Sequence, residues 1–512
     1  MKTIFLFTLT SLFFFVNDNP QHFLASGIHS EVPADSIQKA ADKNDSIDVL
    51  TEVNEINNDS RFFIPKTFRS GHVEKTTYDN YLTKTDYGYI IKLPASNGVP
   101  TPAWFNEKLY ISGGFGSKQF YSFEAETGEL NWAINLDDDG PSSPIIEDSI
   151  LIFNTESCTI FAVNIHTGKE LWSYWLGDPL MSAPTSANGI VFTTYPAAVQ
   201  NNTGDPALYN LAAKYSHVVI AFDLHSGKIL WQKRIDGDAL SSPVANDSTL
   251  HLVTLSGTYY TMQQRTGDFI SAKHFRATSA PVFADGKAYM SLRADKNGES
   301  VSEQFSIIDM RNISLDTSYA KKEAPYLDAQ VQDRSQLKAG AMSDDAGNGF
   351  SSGAPVTSGY MKASENIGQS NVSTLQNFYG SRLLFINGIN YSTMGDELMS
   401  MDAETGRENW KFKISGDINE SGGYLATAPI KAGAYLLIAT LNGEIILINS
   451  VTGEEVKKYM INEPVRTQAI AMNGWIYVTT TTGKLVAINT NDITITGWPM
   501  LGGDNERSNN PS

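Results

Sequence analysis

The chain has 512 residues, with 38 Lys plus Arg against 56 Asp plus Glu and a formal net charge of −18. That balance argues against a nucleic-acid binder, which needs a basic stripe on its surface. One cysteine, Cys158, excludes an intrachain disulfide and a cysteine-lined metal site, and its position in a bend between strands reads as a buried, inert thiol.

The first element is a targeting segment. Lys2 is followed by a largely apolar run over residues 4–16, too short to span a bilayer, and Ala25-Ser26-Gly27 offers a small-residue cleavage point. Residues 1–27 are therefore expected to be a signal peptide, and the mature chain to be exported to the periplasm or the extracellular space. No cysteine stands at or near the end of this segment, so no acylation point is expected there. Residues 28–62 are polar and acid-leaning and read as a disordered linker.

From residue 63 to 500 one phrase recurs. It runs Ser122-Phe-Glu-Ala-Glu-Thr-Gly-Glu-Leu-Asn-Trp132, then Ala162-Val-Asn-Ile-His-Thr-Gly-Lys-Glu-Leu-Trp172. It returns as Ala221-Phe-Asp-Leu-His-Ser-Gly-Lys-Ile-Leu-Trp231 and Ser400-Met-Asp-Ala-Glu-Thr-Gly-Arg-Glu-Asn-Trp410. Eroded copies end at Gly267 and Gly453, and Asp309 and Asn489 keep only the strand end. Each unit opens on small residues and a proline, as in Ser142-Ser-Pro144, Ser182-Ala-Pro184, Ser241-Ser-Pro243, Ser279-Ala-Pro281 and Ala426-Thr-Ala-Pro429. Two β-branched and aromatic runs follow each opening, and a fourth strand follows the Thr-Gly turn.

Four strands in about 40 residues is the size of one propeller blade. The expected fold is all-β: an eight-bladed β-propeller of four-stranded antiparallel blades. Insertions are expected at 195–215 and 311–378, with helical character over 325–339, and a C-terminal tail at 501–512. The strand-like patch at 87–93 is a candidate for closing the ring, because an open last blade leaves an unpaired edge. Trp132, Trp172, Trp231 and Trp410 are expected to wedge between blades, each indole N–H finding a nearby carbonyl.

These phrases resemble the pyrroloquinoline-quinone-type β-propeller repeat, Ala-x-Asp-x-x-Thr-Gly-x-x-x-Trp, over about residues 100–499. The resemblance implies one of two classes. Quinoprotein dehydrogenases oxidise alcohols or sugars with a quinone and Ca²⁺ at the propeller centre. Non-catalytic members, similar to the propeller subunit of the outer-membrane β-barrel assembly machinery (BamB-like), bind partner proteins. Alcohol-oxidising members commonly carry adjacent cysteines, which a chain with one Cys cannot supply; assembly members are usually lipoproteins, which this chain also does not match.

Residues just before the openings should ring the channel mouth. They include Asp138, Asp139, Asp178, Asp238 and Arg276, with Asp417 and Arg466 less well aligned. An acidic funnel of this kind suits a cation or a basic partner segment; acids in such loops also cap their own turns. No catalytic motif is present. The expected function is an exported, monomeric, non-catalytic scaffold with a protein partner in the envelope or outside the cell, without cofactor or nucleic acid. The alternative is a dehydrogenase dependent on pyrroloquinoline quinone and Ca²⁺.

Overall fold

A computed structural model describes residues 46–510 apart from 63, 65–69, 95–97, 157–158, 177–181, 198–205, 297, 329–353, 369–381 and 419–423. The described residues fall in one compact unit, Lys39–Ser512. The expected signal peptide at residues 1–27, Cys158 and Asp178 lie outside them.

Eight antiparallel sheets follow one another along the chain. Blade 2 shows how the phrase builds one. Ile145–Glu147 is innermost, followed outward by Ile150–Asn154, Thr159–Asn164 and Glu170–Trp175. Counting the same way, blade 1 spans 103–136, blade 3 185–235, blade 4 244–274, blade 5 282–323, blade 6 384–413 and blade 7 430–460. Blade 8 takes three strands from 470–489 and two from 82–92. Its strand Gly88–Lys92 pairs antiparallel with Lys484–Asn489, Ile90 opposite Val486. The innermost strands of blades 8 and 1 touch, so the ring is closed. The patch at 87–93 does close it, and the eight-bladed propeller is the observed fold.

The repeat phrase works at two levels. Locally, its polar residue makes an Asx turn: Asp402 Oδ1 accepts from the N–H of Thr405 (2.8 Å) and from its hydroxyl (2.6 Å), and Asp223 treats Ser226 likewise. Those hydrogen bonds hold both carboxyls below the usual range. Beside the turn a bulge sets Trp172 opposite Ala162. Between blades, each tryptophan reaches forward. Its Nε1 donates to the next blade: Trp132 to Ile165 O (3.0 Å), Trp172 to Leu224 O (2.8 Å), Trp231 to Gln264 O (2.8 Å) and Trp410 to Ser450 O (3.1 Å).

The glycine of the phrase serves both levels. Gly227 has φ +68°, a region that penalises a side chain, and a Cβ there would stand 2.6 Å from Cγ of Trp172. Gly227→Ala should therefore cost about 2 kcal/mol through strain and displaced indole; denaturant unfolding of the variant measures it, and an unchanged midpoint would contradict this packing.

Three segments differ from the sequence reading. Residues 46–62, taken as linker, form a strand and a helix. Ile47–Asp48 adds a fifth strand to blade 4, and helix α1 (Leu50–Asn58) buries Val53 and Ile56 against blades 3 and 4. Asn57 mimics a strand residue: its Nδ2 donates to Arg234 O (3.0 Å) and its Oδ1 accepts from Arg234 N (2.7 Å). Farther on, Gly71 N donates to Ser173 Oγ in blade 2, and Val73–Thr76 adds a fifth strand to blade 1. The N-terminal arm thus runs round the rim from blade 4 to blade 8. A polar segment becomes ordered because sheet edges supply the hydrogen bonds that it cannot make alone.

The second difference is in 311–378. Ser314–Glu323 is not insertion but the outer strand of blade 5, disguised because Tyr319 replaces the tryptophan and packs on Gly406 of blade 6. Of the helical stretch at 325–339, the described part is a 3₁₀ turn at Pro325–Leu327. In 195–215, Tyr195 belongs to the strand Ile190–Pro196, and α2 (Pro206–Lys214) follows.

The third difference is the tail, which belongs to the propeller itself. Gly433 N donates to Thr496 O on the blade 7 side, and Trp498 pairs with Ala471 of blade 8. Trp104 N then donates to Pro499 O, Ser186 N to Asn505 O and Ala245 N to Glu506 O. Asn510 Nδ2 donates to Phe283 O (2.8 Å), and Asn509 Nδ2 to Leu383 O. Arg507 reaches the carbonyls of blades 2 and 3. Residues 496–510 consequently touch all eight blades, most of them at or beside the innermost strand. The chain fills its own axis.

Candidate functional site at the loop face

Because strands alternate in direction, two connections of every blade emerge on one face: second to third strand, and outer strand to the next blade. The Thr-Gly turns lie on the other face. The insertion helices and the mouth charges share the first.

The acids there are embraced by hydroxyls. Asp138 Oδ2 accepts from Thr155 Oγ1 (2.6 Å) and Thr159 Oγ1 (2.7 Å) of blade 2, and its Oδ1 accepts from Asp139 N (2.9 Å). Asp236, after the last strand of blade 3, repeats the arrangement with blade 4. Its oxygens accept from Thr254 (2.9 Å), Ser256 (2.5 Å), Thr258 (2.6 Å) and Tyr260 (3.0 Å). These are clasps between blades. Sequence reasoning missed Asp236, although the spacing Thr155-x-x-x-Thr159 and Thr254-x-x-x-Thr258 carries the signal.

Of the mouth residues named from sequence, Asp238 is fully buried and accepts from Thr194 Oγ1, Ser182 Oγ (3.3 Å) and Ala239 N (2.8 Å). Arg276 pairs with Asp295, Nη2 to Oδ2 at 3.1 Å, and its Nη1 donates to Asp295 O at 2.5 Å. Asp139 lies beside Glu156, whose N–H donates to Asp139 O (2.9 Å). Burial first, then the charge of Asp139, pushes the Glu156 carboxyl up to about 8. Asp417 is exposed on the loop after blade 6, while Arg466 precedes blade 8. Among the described residues, Asp139, Asp238 and Arg276 stand after the outer strands of blades 1, 3 and 4, each at its own blade junction.

What the structure does gather is the insertion helices. Helix α3 (Ala354–Ile367) meets α2, and Lys362 Nζ donates to Lys214 O at the end of α2 (2.8 Å) and to Asp236 O. Arg293 Nη1 donates to Glu365 O (2.7 Å) and Asn366 O (3.0 Å), capping the last turn of α3, while its Nε pairs with Asp295 (2.8 Å). Asn366 Nδ2 donates to Ala277 O (2.8 Å). Burial lowers the Lys362 pKa. Burial raises that of Asp236, but Lys362 and the hydroxyls outweigh it and hold the carboxyl low. Lys362→Ala removes the cation beside a buried carboxylate and should cost about 3 kcal/mol. Faster proteolysis within 354–367 would report the loosened helix; equal cleavage rates and unchanged stability would show that Lys362 does not latch it.

Among the described residues no three His, Cys, Asp or Glu side chains are grouped as a metal ion needs. Asp138 accepts from hydroxyls of blade 2 and Asp238 from Thr194 and Ser182 of blade 3, and the tail lines the inner strands. Among the described residues, no helix is long and apolar enough to cross a membrane.

Circular closure, phrase and inter-blade tryptophans define an eight-bladed propeller of the quinone-type repeat. A family model described as outer membrane protein assembly factor BamB matches residues 82–194, 203–294 and 395–496, more than half of the chain, which therefore belongs to that family. Tetrathionate hydrolase of Acidithiobacillus ferrooxidans is 21% identical over 399 residues, covering 73% of this chain and 76% of that protein. BamB of Shewanella oneidensis is 23% identical over 197 residues, 31% of this chain; the match spans about half (49%) of that relative's length. Two solved structures share the fold at a TM-score of 0.50. They are the computationally designed Ika8 protein (13% identity, 78% of this chain, 98% of that one) and a europium-containing methanol dehydrogenase (11%, 77% and 84%).

Proposed function

We propose that this chain is an exported, non-catalytic propeller that serves as a protein-interaction scaffold in the cell envelope or outside the cell. One observation carries the reading: the axis is filled by the chain's own tail, while two insertions build a latched helical platform on the loop face. Residues Met361 and Glu365, one turn apart on α3, are both exposed, Met361 by 59%. A methionine so placed on an inserted helix suits a partner's apolar patch. Membership of a family described by an assembly factor agrees with this reading. Affinity capture with the full chain from the envelope fraction of its source organism should recover one specific protein. Adding quinone and Ca²⁺ together should leave the absorption spectrum and thermal midpoint unchanged; a shift in both would favour the dehydrogenase instead.

A second reading has an observation of its own. The tetrathionate hydrolase relative aligns over three quarters of its length, and Glu156 holds a proton near neutrality beside Asp139, as a general acid requires. Hydrolysis of tetrathionate by the purified chain, abolished in Glu156→Gln, would establish it. No turnover by the folded chain would remove it.

A further inference from the structure

We infer that the propeller axis is a guanidinium-binding site made of backbone carbonyls, for which the chain supplies its own ligand, Arg507, from the C-terminus. The site comes from the repeat itself. Six of the eight blades, all but blades 6 and 8, open on a proline, and proline has a carbonyl but no N–H. Where openings converge on the axis, prolines contribute acceptors without matching donors. The ligand such a place selects is a planar cation with several donors, which is guanidinium and not ammonium.

Arg507 meets that description. Its Nε donates to Pro184 O (3.2 Å), Nη1 to Leu501 O (2.7 Å), and Nη2 to Ser143 O (3.3 Å), Pro144 O (3.2 Å) and Pro184 O (3.1 Å). The residue is fully buried. Its own carbonyl accepts from Arg382 Nη2, a second buried arginine that stands two residues before the innermost strand of blade 6. The prolines Pro144 and Pro184 open blades 2 and 3, more than 300 residues away in sequence. One side chain therefore joins two blades to the end of the chain.

The test uses the full chain. Arg507→Ala should lower the thermal midpoint by about 5 °C, and methylguanidinium in the low millimolar range should restore at least half of the loss. The rescue should saturate, and ethylammonium at equal ionic strength should not reproduce it. Equal effects of the two cations, a non-saturating response, or a midpoint unchanged by the substitution would each overturn the inference. If Arg507→Ala yields no folded protein, Arg507→Lys keeps the charge without the fork. It should fold, melt lower than the parent chain and exchange the amides of Ser186 and Ala245 faster, since these donate to the tail. Parental melting and exchange in Arg507→Lys would show that charge alone suffices and that no guanidinium site exists.

Discussion

Replacing Trp172 with alanine should destabilise the ring by about 4 kcal/mol. The indole is 8% exposed, stacks on Phe222 (centroids 5.5 Å apart) and donates to Leu224 O, all across the junction of blades 2 and 3. Truncation removes buried apolar surface, opens a cavity and leaves that carbonyl without the indole donor. Trp172→Phe keeps much of the contact and loses the hydrogen bond, so it should fall between parent and alanine variant. Trp410 is less deeply buried, and Trp410→Ala should cost less than Trp172→Ala. Denaturant unfolding of the variants gives the order; equal losses at the two positions would contradict a burial-driven staple.

Acidification should separate the buried histidines from Glu156. Burial lowers the pKa of His217, with Lys362 adding to the effect and Asp236 opposing it, to about 3, and burial lowers that of His251 to about 3. Both rings are neutral in the fold and have ordinary values when unfolded. Below about pH 6.5 the unfolded chain binds the protons, and stability falls with pH down to about 3. At pH 5 each histidine takes away about 2 kcal/mol relative to pH 7. Glu156 has the opposite sign. Its folded pKa is raised, so its contribution is full below the unfolded value and lost as pH rises through about 8. Going from pH 7 to 5 it returns about 2 kcal/mol. Three curves follow: the parent chain loses about 2 kcal/mol between pH 7 and 5, Glu156→Gln about 4, and His251→Phe almost none. His274, whose pKa burial also lowers, adds to the loss in all three. Parallel curves for the three proteins would refute the assignment.

The ring was legible in the sequence because four blades solve the same problem with the same residues and the others keep part of the phrase. Asp-x-x-Thr-Gly makes the turn, the glycine admits the neighbouring indole, and the tryptophan four residues on fills the junction, so chemistry repeats at a fixed interval. The outer strand of blade 5 escaped because Tyr319 does the work of a tryptophan without the Thr-Gly that announces it. The N-terminal arm escaped for a different reason. The apolar residues of 46–62 are interspersed with acids and asparagines, and their order depends on burying Val53 and Ile56 against blades 3 and 4, on the edge of blade 4 and on Arg234, far away in sequence. The tail is an extreme case: Arg507, Asn509 and Asn510 read as a polar terminus because their partners are backbone carbonyls, which have no signature in residue type. The candidate site followed the same rule. Acids at the mouth were visible, but the pairing of Lys362 with the Asp236 loop joins positions 126 residues apart, and only the fold brings them together.

The scaffold reading is tested most directly by placing a photo-crosslinking residue at Glu365, on the outward side of α3, in cells that export the full chain. The account predicts one crosslinked envelope protein, lost when Lys362→Ala loosens the helix and retained when the probe-bearing chain carries Glu156→Gln. A folded chain that crosslinks to nothing from this helix, yet turns over tetrathionate or reduces a quinone, would contradict it.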